Sequence, residues 1–163
     1  MPNAISNTSP LLYLYRIQAL DWLERLFDEL WIPVAVVTEL AEGKRRGYDV
    51  PDPQTYAWLN VVEPQTTPSE WLSLDLGVGE LAAMALALEN PTRIVLLDDQ
   101  LARRTAQAAG LIVWGTLKVL LEAKAQGLTP KIEPYVTGLS NAGMWLSDDI
   151  RRRILFLASE AST

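Results

Sequence analysis

Five short apolar runs, "NAIS" (3–6), "WIP" (31–33), "LNVVEP" (59–64), "RIVLLDD" (93–99) and "LIVWG" (111–115), are separated by stretches with helical periodicity. Strands joined by helices have to cross over and pair in parallel, and a parallel sheet has to be covered on both faces. The expected architecture is therefore α/β, a three-layer α/β/α sandwich around a central, mainly parallel sheet of about five strands. With 163 residues, 49% of them hydrophobic, the chain supports one core. We expect a single domain over 1–163, with C-terminal helices from about 130.

The helical stretches carry their own start and stop signals. Thr8 or Ser9 is a cap candidate ahead of a first turn containing Pro10. "ALDWLERLFDEL" (19–30) puts Leu20, Leu23, Leu26, Phe27 and Leu30 on one face and Asp21, Glu24, Arg25 and Asp28 on the other, which predicts a helix. "VAVVTELAEGKRRG" (34–47) reads as a helix stopped by glycine, and 47–56 as a loop leading to a short helix around Tyr56 and Leu59. "GELAAMALALEN" (79–90), "QLARRTAQAAG" (100–110, ended by Gly110) and "TLKVLLEAKAQG" (116–127) are three more helices. Two further helical segments follow, split by "NAGMWLS" (141–147), with Ser147 as a cap.

The residue inventory restricts the chemistry. There is no cysteine and no histidine, so disulfides, thiolate sites and imidazole catalysis are excluded, and any metal is a hard cation held by oxygen. A net charge of −6 argues against bulk electrostatic coating of nucleic acid, although "GKRRG" (43–47), Arg103 with Arg104, and "RRR" (151–153) form local basic clusters. Each cluster also reads as an ordinary solvated face. No secretory leader pattern and no apolar run near the ~18 residues of a membrane span occur, so a cytoplasmic protein without membrane contact is expected.

In parallel sheets ligands bind beyond the carboxyl ends of the strands. Asn7 and Thr8 follow the first expected strand, and Asp98 and Asp99 follow the fourth. Glu39 stands among valines and a leucine, and Glu80 near the start of an alanine-rich helix. Each acid has a plain structural reading: a helix cap for the aspartates, a favourable first-turn charge for Glu80. Together they also read as a carboxylate cluster whose repulsion a divalent cation would relieve, which suits phosphoryl hydrolysis.

"SNTSPLLYL" (6–14), "IPVAVVTEL" (32–40), "DLGVGELAAMALALE" (75–89), "LLDDQLARRTAQAAGL" (96–111) and "GTLKVLLEAKAQGL" (115–128) together resemble the PIN-domain superfamily of metal-dependent ribonucleases, in its small prokaryotic, toxin-like branch. The resemblance implies a PIN-like fold and an endoribonuclease using Mg²⁺ or Mn²⁺ on single-stranded RNA, the toxin of a toxin–antitoxin pair. It implies a site of Asn7, Glu39, Glu80, Asp98 and Asp99, serving both as metal ligands and in catalysis, with Asn7 where aspartate is usual and Asp98 as the main acid of its pair. Thr8, Ser9, Arg103, Arg104 and Thr116 are the implied RNA contacts. A homodimer and a small antitoxin protein are the implied partners.

Two other classes stay open. One is a catalytically weak or inactive module of the same fold that binds nucleic acid or protein, since asparagine offers a dipole where a charge would hold the ion. The other is a phosphate- or nucleotide-binding α/β protein, to which "GVGELA" (77–82) gives a weak glycine fingerprint; a receiver domain would share the acidic pocket, but its acidic pair belongs near the start of the chain and here it is at 98 and 99. Of the six tryptophans, Trp22, Trp31, Trp58 and Trp71 lie in apolar patterns and are expected in the core or a dimer contact, whereas Trp145 is expected to be exposed.

Overall fold

The computed structural model describes residues 1–67, 69–70 and 74–160. Its chain runs β1 (Ala4–Ser6), α1 (Thr8–Arg16), α2 (Trp22–Leu26), β2 (Leu30–Ile32), α3 (Val34–Arg45), a 3-10 turn (Pro53–Thr55) and β3 (Leu59–Val61). Then follow α4 (Val78–Glu89), β4 (Ile94–Leu96), α5 (Gln100–Ala108), β5 (Ile112–Trp114), α6 (Thr116–Ala125), α7 (Glu133–Asn141) and α8 (Asp148–Leu157). The five strands form one sheet in the order β3-β2-β1-β4-β5, and every pairing is parallel. Central β1 pairs through Ala4 with Leu30 on one side and with Ile94 on the other.

Alternation along the strands divides the core into two layers. Ala4, Leu30, Ile32, Ile94 and Leu96 point to one face and pack with α1, α2, α3, α6, α7 and α8. Ile5, Val95 and Leu97 point to the other and pack with α4 and α5. Helix α4 buries Ala83, Met84, Ala85, Leu86 and Ala87, apolar nearly all round, as its composition requires. The three layers expected from the sequence are present, and the sheet is parallel throughout.

The stretch 19–30 is not one helix. Phe27 turns extended (φ −129°, ψ 142°) and ends α2, which lets Leu30 begin β2. Its leucines satisfy helical spacing, yet pairing with β1 fixes where the backbone must straighten. The expected short helix near Tyr56 is the 3-10 turn at Pro53–Thr55, capped by Asp52. Ser147 caps α8 as expected, accepting from the Ile150 N–H at 3.1 Å. Trp22 is buried and Trp31 and Trp58 are half-buried against the core; Trp71 lies outside the described residues. No helix among the described residues is long and apolar enough to cross a membrane.

Candidate metal centre at the carboxyl edge of the sheet

The order in which strands are added reverses between β1 and β4, so the carboxyl ends of these parallel neighbours flank the crevice where such sheets place ligands. Asn7 follows β1 immediately, its N–H held by the Leu96 carbonyl of β4 at 3.1 Å. It occupies the N-cap of α1, yet its side chain caps nothing. Asn7 is only 4% exposed, and its Oδ1 is buried with no hydrogen-bond partner among the described residues. The Thr8 hydroxyl is likewise buried, and it stands close enough to the Glu39 carboxylate to favour that group's charged form.

Glu39 reaches this place from α3. A Cβ added to Gly79, at the start of α4, would stand 1.8 Å from Glu39 Oε1 and 3.1 Å from Asn7 Oδ1. The two oxygens therefore converge over a glycine whose missing side chain makes room for them. Burial pushes the Glu39 carboxyl above its usual range, and the charge of Glu80 adds to that. Glu80 accepts the Gly77 N–H at 3.0 Å, a first-turn arrangement that stabilises the start of α4. Its pKa is also raised, by burial and then by Asp99.

Asp99 is exposed and caps α5, accepting the Ala102 N–H at 2.9 Å. Asp98 turns the other way. Its Oδ1 accepts the Thr116 N–H and its Oδ2 the Thr116 hydroxyl, both at 2.7 Å. A Cβ on Gly115 would stand 3.3 Å from Asp98 Oδ1 and from Arg103 Nη1, so acid and guanidinium share the space above that glycine. Burial raises the Asp98 pKa against the opposing pull of Thr116 and Arg103.

The structure thus brings Asn7 beside Glu39 over Gly79, and couples Glu39, Glu80 and Asp99 through their electrostatic fields, while Asp98 is tied to α6. Among the described residues no three acidic side chains stand close enough to hold one ion between them. The fit to a hard cation rests on the orphaned Asn7 Oδ1 beside Glu39, which is what Mg²⁺ asks of a protein: one or two oxygen ligands, with water completing its shell. Ser9, Arg103 and Thr116 line a cleft of about 770 Å³ next to Asp98 and Asp99, whereas Arg104 is simply exposed. Thr116 is fully buried with its hydroxyl committed to Asp98, which makes it a positioning residue.

Sequence reasoning missed Gly79 and Gly115. The "GVG" run held the first clue, since a glycine in a helix's first turn, beside an isolated acid, signals close approach as well as phosphate binding. The nucleotide fingerprint itself fails, because β3 ends at Val61 and does not lead into Gly77.

A family model described as a PIN domain matches residues 3–160. The chain belongs to this PIN-domain family, whose fold is of nuclease type and generally works with divalent metals. No curated protein matches the chain.

Proposed function

We propose that the protein is a cytoplasmic, divalent-metal-dependent endoribonuclease that cleaves single-stranded RNA as the toxin of a toxin–antitoxin pair. The buried, partnerless Asn7 Oδ1 beside Glu39 carries this reading. Leaving a buried acceptor unsatisfied costs about 1–3 kcal/mol, a cost that a ligand at this spot removes. Asn7 and Glu39 would hold Mg²⁺ or Mn²⁺, with Glu80 and Asp99 acting on its water shell and Asp98 fixing the start of α6. The ion would supply the positive charge that phosphodiester hydrolysis needs on the phosphate oxygens. Glu80, its carboxyl made more basic by burial and by Asp99, is the candidate to take the proton of the attacking water. An antitoxin arginine set among Glu39 and Glu80 would silence the site by the same charge balance, and a homodimer is the expected assembly.

A second reading has its own support. Asp98 is bound at both oxygens by Thr116, and Asn7 carries no charge, which favours a PIN-like module that binds RNA or protein and cleaves weakly or not at all. Calorimetry with Mn²⁺ and cleavage of labelled single-stranded RNA separate the two. The enzyme reading expects Mn²⁺ binding and slow cleavage by wild type, faster cleavage by Asn7→Asp, and none by Glu39→Gln. No Mn²⁺ binding, together with no cleavage by Asn7→Asp above the Glu39→Gln background, leaves the binding module.

A further inference from the structure

We propose that the cleft bounded by the start of α6, residues 144–146 and α8 seats one nucleotide of a single strand, its base stacked on Trp145 and its phosphate met by Arg153 and Arg103. That the strand is RNA rests on the ribonuclease reading above; the stack itself does not.

Trp145 is 81% exposed, although its neighbours Met144 and Leu146 pack on the core. Gly143, at φ +105°, ends α7, the Met144 N–H returns to the Leu139 carbonyl at 2.9 Å, and Ser147 caps α8. An anchored backbone with its flanking side chains inward presents the indole outward. An exposed aromatic is the platform on which single-stranded binders stack bases.

The charges point the same way. In the "RRR" run Arg151 donates to Thr137 and Arg152 pairs with Asp149, while Arg153 faces the cleft and has no ion-pair partner among the described residues. Arg103 also lines the cleft, with its Nη1 near Asp98 Oδ1. A guanidinium on the cleft wall suits a phosphate oxygen. The neighbouring hollow beside Glu39 is lined by Glu39, Glu42 and Glu63, with Arg46 already paired to Glu42, so it repels a backbone phosphate. A strand therefore leaves the carboxyl edge on the Trp145 side. With about 770 Å³ the cleft has room for one nucleotide, and its wall includes Asp99, whose charge acts on Glu80 of the candidate metal centre.

The test is fluorescence anisotropy of a 5′-labelled oligouridylate in EDTA, where no cleavage occurs. Trp145→Ala, at an exposed site and with unchanged thermal unfolding, should weaken binding about tenfold, and Trp145→Phe should keep most of it. Arg153→Ala should lower the salt slope of the affinity by about 0.7. No binding by wild type, or an affinity unaltered by Trp145→Ala, overturns the proposal and leaves the cleft to a protein segment. A separate Mn²⁺ cleavage assay distinguishes the readings: cleavage without the Trp145 effect removes the stack alone, and the Trp145 effect without cleavage removes the ribonuclease alone.

Discussion

The two ends of the sheet solve opposite problems. At the amino end Arg93 is only 6% exposed, and its guanidinium is well partnered: Nη2 donates to Glu29 Oε1 at 2.8 Å, Nη1 to the Ala4 carbonyl at 3.4 Å, and its carbon sits 3.2 Å from the centre of the Trp31 ring. One cation ties together the starts of β4, β1 and β2. At the carboxyl end Asn7 Oδ1 has no hydrogen-bond partner among the described residues, and burial raises the pKa of Glu39 and Glu80. A buried polar group left open at one edge, while an equally buried group at the other is well partnered, marks the first as a place for something the chain does not itself contain.

Removing the partnered end gives the largest expected effect. Arg93→Ala loses the ion pair, the carbonyl bond and the ring contact together, and should lower stability by about 3 kcal/mol in chemical unfolding. Mn²⁺ affinity, measured below the new melting temperature, should be unchanged; a variant with wild-type stability would dissolve the contrast between the two ends.

Gly79→Ala acts at the open end. The new methyl meets Glu39 Oε1 and must push that side chain aside, while an alanine in a helix is otherwise welcome. Stability should change by less than about 1 kcal/mol, and Mn²⁺ binding should weaken by roughly tenfold, as when a ligand's supporting contact is lost. Calorimetry and thermal melts on the same sample check both halves.

The smallest effect is on pH dependence. Glu39 and Glu80 have folded-state pKa values above their unfolded ones, so the folded chain holds these protons more tightly. Their contribution is complete below the ordinary glutamate pKa and is lost as pH rises through the raised values. In EDTA the melting temperature of wild type should therefore fall on that climb more than that of Glu39→Gln, and saturating Mn²⁺ should remove the difference.

Much of this layout is legible from residue order alone. Apolar runs and helical periodicity locate the strands and most helices, and the rule about carboxyl ends brings Asn7 and the aspartate pair to one edge before any coordinates. The stretch 19–30 defeats periodicity because a leucine fit for a helix face is equally fit for a strand, and only pairing between Leu30 and β1 decides. The site's division is invisible for another reason. Asp98 and Asp99 are adjacent and chemically alike, yet one is gripped by Thr116, far along the chain, and the other caps α5. Spacing reports which element a side chain leaves from, and says nothing of the donors waiting where it arrives.

The position of β1 also shapes how the sheet is assembled. It is the first strand made and the central one, bonded to β2 soon afterwards but completed only when Ile94 to Leu96 are in place. On the ribosome, β1 therefore has one bare flank throughout the synthesis of everything between β2 and β4, a long-range closure of the kind that slows folding and invites pairing with other nascent chains. At three residues the exposed ladder is too short to be a strong template, so brevity in the middle of this sheet does for biogenesis what charged edges do for a finished protein.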